Sequence, residues 1–154
     1  MRRMVIMAMF WAGLWSGGAW AQQVDSGTVW SCFAQTPIGE ISPDCLGAAS
    51  NSCQDQGFDT TMGMTQCIQA ETAVWDAILN EEYKSTRTAL GAQDPALKDH
   101  LLTAQRAWIA FRDAECALDY ARWQDGSIRS IVHANCMLVM TARRSLELRD
   151  MKGN

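Results

Sequence analysis

The stretch CALDYARWQDGSIRSIVHANC, residues 116–136, decides the fold. Its centre, Gln124, Asp125, Gly126 and Ser127, is a turn sequence, and Gly126 is the midpoint between the two cysteines. Helices leaving such a turn rise about 1.5 Å per residue, so side chains equally far from it lie at the same height. Cys116 and Cys136 are therefore expected to pair across an antiparallel hairpin. Before the turn, Leu97, Leu101, Ala104, Trp108, Phe111, Ala114 and Leu118 recur three or four apart and run toward Trp123. Asp94 suits the N-cap of that helix, and Pro95 its first position. After the turn, Ser127 is expected to cap a helix carrying Ile128, Ile131, Val132, Leu138, Val139, Ala142 and Leu146 toward Met151.

Upstream, Met64, Ile68, Trp75, Ile78, Leu79, Tyr83 and Leu90 mark a further helix. Thr60 or Thr61 would begin it, and Gly91, in a left-handed conformation, would end it. The expected fold is all-α, an antiparallel bundle of about three helices over residues 60–151. Residues 22–59 show no sustained periodicity, hold Pro37 and Pro43, and carry three of the six cysteines. They read as a disulfide-stapled, loop-rich segment. The same midpoint argument gives Cys53 with Cys67 around Thr60, and Cys32 with Cys45 around Ile38 and Gly39, while the sequence leaves the connectivity among these four open. Each closed loop would contribute roughly 3 kcal/mol.

Arg2 and Arg3, an apolar run from Met4 to Trp15, and Ala19-Trp20-Ala21 follow the order of a secretory leader. Residues 1–21 are expected to be a signal peptide cleaved after Ala21, delivering the chain to the periplasm or the exterior. About 12 apolar residues are too few to cross a bilayer, which needs around 20, so no membrane span is expected. No cysteine stands at the cleavage point to take a lipid anchor. Export makes disulfides the default reading of the cysteines. A zinc site is disfavoured, because there is no CxxC pair and only His100 and His133 could assist. No metal or cofactor is expected.

Of 154 residues, 133 remain after the leader, the size of one domain. A hydrophobic content of 48% against 19% charged belongs to a packed globule and not to a disordered chain. Losing Arg2 and Arg3 leaves 11 basic against 17 acidic residues, a balance of −6 that argues against nucleic acid and would steer a basic partner. There is no GxSxG elbow, HExxH pair, phosphate-cradling loop or dinucleotide fingerprint. Adjacent Glu81 and Glu82 diverge on a helix, so no acid pair forms. The chain reads as a non-enzyme with no catalytic residues.

Three stretches together resemble the secreted LprI-like lysozyme inhibitor family. Cys67 followed by Leu79, Asn80 and Tyr83 is similar to its cysteine and LNxxY element. Ala104 to Cys116, with Gln105, Trp108, Arg112, Asp113 and Glu115, resembles AQxxWxxxRDxEC. Gly126 and Ser127, then Cys136, Thr141, Arg144, Glu147 and Leu148, resemble its GS turn, cysteine and TxxRxxEL ending. The resemblance runs from about Cys53 to Leu148. It implies a helical domain and a binding activity, inhibition of lysozyme by occluding its cleft; the alternative is an envelope interaction module without lysozyme affinity. Cys32 and Cys45 are extras beyond the family's usual four cysteines, and the family's namesake is a lipoprotein whose anchoring cysteine is missing here.

Gln105, Trp108, Arg112 and Glu115 stand three or four apart and share one helix face. Arg112 can stack on Trp108 or bridge to Glu115, while Asp113 points a quarter turn away. The set reads either as a recognition patch or as a polar seam holding two helices together, with Arg144 or Thr141 as partners. The seam is preferred, and it predicts that Arg112→Ala unfolds the protein. Packing roles are likewise expected for Asn80 and Tyr83. The expected contact site is Asp119, Asp125 and Ser127 at the hairpin tip, facing a cationic lysozyme whose cleft carries two carboxylates.

Overall fold

A computed structural model describes residues 24–153, and the expected leader, residues 1–21, lies outside them. It contains five α-helices: α1 (Ser26–Gln35), α2 (Ala48–Gln54), α3 (Thr61–Gln93), α4 (Leu97–Arg122) and α5 (Arg129–Asp150), followed by a 3-10 turn, Met151–Gly153. Helices α3, α4 and α5 are the expected bundle. The correction concerns the segment read as loop, which contains α1 and α2. Both are too short to show a sustained period, yet α1 still buries Val29, Cys32 and Phe33 three and four residues apart.

Asp25 explains where α1 starts. Its carboxylate accepts from the Gly27 N–H at 3.0 Å, the Thr28 N–H at 3.2 Å and the Thr28 hydroxyl at 2.8 Å. These bonds, the Thr28 hydroxyl first, hold the Asp25 carboxyl below its ordinary pKa. A carboxyl depressed by folding stabilises above its unfolded pKa, and that contribution is lost as pH falls through the folded value. Acidification through that range is thus expected to fray the first turn of α1. Titrating the Gly27 and Thr28 amide shifts checks this: the transition should vanish in Asp25→Asn, and its persistence there would refute the capping role.

Helix α2 has no side-chain cap of its own and starts from Gly47 in the left-handed region, φ 93°. Its N-terminal donors are met from α3. The carboxylate of Glu71, 1% exposed, accepts from the Gly47 N–H at 2.9 Å and the Ser50 N–H at 2.7 Å, and also from the Trp75 indole N–H at 3.3 Å. At the other end of α1, the Arg149 guanidinium donates to the carbonyls of Phe33 (3.0 Å), Thr36 (2.8 Å) and Pro37 (3.1 Å), closing orphan C=O groups at the helix end.

The larger core joins Val29, Phe33, Ala49, Ile68, Trp75 and Ile78 to Leu138, Ala142 and Leu146 of α5. A smaller one gathers Leu79, Leu101 and Leu148, with Tyr83, Leu90 and Trp108 at its edge. Disulfides join Cys32 to Cys45, Cys53 to Cys67 and Cys116 to Cys136, the pairs that the midpoints give. The chain returns from α2 to α3 so tightly that a Cβ on Gly63 would lie 2.8 Å from the Phe58 carbonyl oxygen.

Three expected boundaries shift. Helix α3 continues through Gly91 to Gln93, because the missing side chain there makes room for the stem of Lys98 and serves no turn. The Asp94 carboxylate accepts from the Ala96 N–H at 2.9 Å, so Pro95 and Ala96 form a turn and α4 starts at Leu97. Helix α5 starts at Arg129 with Ile128 at its cap position, and Ser127 makes no capping bond.

Candidate functional site

Helix α4 turns the face Leu101, Gln105, Trp108, Arg112, Cys116 and Asp119 inward, where each is buried or half-buried. This is the spacing of a helix seam, but it is rotated from the stripe expected on apolar character alone. Phe111, Leu118 and Trp123, placed in the core by the sequence reading, are 57%, 55% and 49% exposed. Gln105 goes inside because α5 supplies its partner. Arg144 Nε donates to Gln105 Oε1 at 2.9 Å, and its terminal nitrogen donates to Glu147 at 3.0 Å. The same guanidinium lies 5.9 Å from the Trp108 ring centre.

Arg112 stacks on Trp108 at 5.1 Å, as expected, but its ion pair is with Asp113 at 2.8 Å and not with Glu115. Asp113 is largely exposed, so this pair is a surface one. With Asp113 in solvent, losing Arg112 is expected to cost about 1 kcal/mol and to leave the protein folded, a smaller effect than the unfolding the seam reading predicts; thermal melting of Arg112→Ala decides between them. Glu115 is exposed at the edge of the seam, in a groove with Phe111, Asp119 and Val139. Thr141 is fully buried, but its hydroxyl makes no hydrogen bond among the described residues. It is a neighbour of the seam and no partner in it. Leu79 and Leu148 pack in the smaller core with Tyr83 beside them. Asn80 does not pack; it is exposed and donates to the Asp76 backbone and carboxylate on its own helix.

The other group of predicted residues sits at the α4–α5 tip. Of residues 117–128, only Asp119 is even half-buried. The disulfide Cys116–Cys136 closes the hairpin just beneath them, and both sulfurs contact the Met140 thioether, at 3.8 and 3.9 Å. Two short bonds help to fix the turn. The Gly126 N–H donates to the Trp123 carbonyl at 2.8 Å, and Arg129 donates to the Gln124 carbonyl at 2.6 Å. Gln124, not Gly126, takes the left-handed conformation, φ 44°. Arg129 also covers the Tyr120 ring at 4.9 Å, and Tyr120 meets His133 edge-on.

Asp125 projects fully into solvent, with Arg129 3.9 Å away. Asp119 pairs with Arg122 at 3.4 Å, and Ser127 is exposed. Around these polar groups stand Leu118, Trp123 and Ile128, all exposed. The sequence reading overlooked these three as surface residues, having assigned them to helix stripes. Position was the available signal: apolar residues beyond the last staple of a hairpin have no third helix to cover them.

The family model for the lysozyme inhibitor LprI matches residues 53–148 of this chain. That range takes in two of the three disulfides, the seam and the tip, and leaves out α1. A protein of Rhizobium meliloti (strain 1021), described as uncharacterized, is 28% identical over an alignment covering 78% of this chain and 86% of the relative. No solved structure matches.

Proposed function

The chain belongs to the LprI lysozyme inhibitor family, and on that premise we propose that it is an exported binding protein which inhibits a cationic lysozyme by seating its α4–α5 tip in the active-site cleft. One observation carries this reading: the tip is a disulfide-stapled projection that exposes Trp123, Ile128 and Leu118 around the solvent-facing carboxylate of Asp125. Large apolar and aromatic side chains held in one geometry are what interface hot spots require. Asp119, Asp125 and Ser127 add the polar contacts, and the acidic balance of the chain speeds encounter with a basic enzyme. The inhibitor performs no chemistry and needs no cofactor, because filling the cleft is sufficient.

In this reading residues 1–21 are the leader and are removed after Ala21. Residues 22–59 brace the bundle through Cys32–Cys45 and α2, and residues 60–151 are the inhibitory domain. Export to the periplasm or beyond is supported by the three disulfides, since such bonds persist in oxidising compartments.

The test is clearance of a cell-wall suspension by a purified cationic lysozyme, with and without the mature protein. Clearance should slow in proportion to the protein added, and an oligosaccharide that fills the lysozyme cleft should compete with it. Undiminished clearance at micromolar excess would reject inhibition.

A further inference from the structure

The acidic chain carries a concentrated basic patch far from the tip. Among the described residues, six cations lie within 4 Å of a carboxylate: Arg112, Arg122, Arg129, Arg144, Arg149 and Lys152. The remaining five are Lys84, Arg87, Lys98, Arg106 and Arg143, and four of these lie on the groove between α3 and α4. One part of that groove, about 370 Å³, is lined by Tyr83, Lys84, Arg87, Thr88, Lys98 and Leu102, with no carboxylate among them. The adjoining part shares Tyr83 and Leu102, and adds Asn80 and Arg106. Its one acid, Asp76, already accepts from Asn80.

Unpaired cations gathered in one groove repel one another, so their placement asks for an anion. The groove is also constructed. The Lys98 stem lies across α3 at Gly91, where the missing side chain leaves room for it. The half-buried Tyr83 ring and Leu102 supply an apolar wall. We propose that this groove binds an anionic saccharide: Lys84, Arg87 and Lys98 hold its carboxylate or phosphate groups, and Tyr83 with Leu102 takes a sugar-ring face. The volume suits one or two sugar units. The balance of −6 that remains without Arg2 and Arg3 disfavours a long polyanion such as nucleic acid, which would be repelled outside the groove. The site lies at the first turns of α4, about 30 Å of helix from the tip, so it is independent of lysozyme binding.

The experiment titrates the mature chain by calorimetry with tetragalacturonate as the carboxylate probe, mannose 6-phosphate as the phosphate probe, the methyl ester of the tetramer as a neutral control, and an eight-nucleotide single-stranded DNA. One or both anionic sugars should bind saturably, the responsive probe identifying the charged group, and the ester should not bind. Charge reversal at Lys84 and Arg87 together should weaken binding at least about tenfold, whereas Arg143→Glu, an unpaired cation elsewhere, should leave it within twofold. Lys98→Gln gives a second reading should the double variant not fold. Absence of binding by both sugars at millimolar concentration, equal loss in Arg143→Glu, or tenfold tighter binding of the DNA would overturn the proposal.

Discussion

Replacing Glu71 by alanine is expected to lower the stability of the folded chain by about 3 kcal/mol, more than any other single polar substitution. The Gly47 and Ser50 amides and the Trp75 indole all donate to its carboxylate, and the site is closed to water. Each donor left alone in such a site costs about 1–3 kcal/mol, partly offset by relief of the carboxylate's own desolvation. For a chain of this size that is roughly a 10 °C fall in melting temperature. Glu71→Gln should recover only part of the loss, since its amide nitrogen would turn a donor toward a donor. Thermal unfolding followed by circular dichroism measures both. A Glu71→Ala protein that melts within a degree or two of wild type would show that α2 does not depend on this contact.

Arg144→Ala is expected to cost about 2–3 kcal/mol through a different route. It strands the Gln105 carbonyl in the seam and removes the guanidinium beside Trp108. Partial exposure of Glu147 keeps the loss below that of a fully buried pair. Arg144→Lys should not rescue, because one ammonium cannot reproduce the planar contacts to Gln105, Glu147 and the ring at once. A double-mutant cycle with Gln105→Leu separates contact from context: coupling above about 1 kcal/mol is predicted, and additive losses would mean the two side chains do not act together.

The hairpin was legible because its evidence is local. A Gly-Ser turn at equal distance from two cysteines specifies which residues share a height, and the pair Cys116–Cys136 follows. The orientation of α4 was legible in part: the seam of Gln105, Trp108 and Arg112 with Arg144 as its partner reads from the motif, whereas the apolar stripe misplaces Phe111 and Leu118. Hydrophobicity favours Phe111 and Leu118 for the interior, yet the interior position goes to Gln105, which Arg144 of α5 meets across the seam, and to Arg112, which stacks on Trp108 of its own helix. Partners forty residues apart leave no periodic trace. The short helices escaped for a similar reason: α2 owes its first turn to Glu71, more than twenty residues downstream. Of the candidate site, Asp119, Asp125 and Ser127 could be placed at the tip from the turn alone. Trp123 and Ile128, the side chains with most surface to offer a partner, were hidden in helix stripes that the third helix does not reach.

The division of labour between seam and tip can be measured in one comparison, the inhibition of lysozyme by the double variant Trp123→Ala, Asp125→Lys set against Arg112→Ala. Neither change touches the buried cores, so both proteins should melt within a few degrees of wild type. The tip variant should lose inhibition by about a hundredfold or more, the scale of a hot-spot aromatic and a reversed charge, while Arg112→Ala retains it. Full inhibition by the tip variant, or its loss in a folded Arg112→Ala protein, would contradict the assignment of lysozyme binding to the tip.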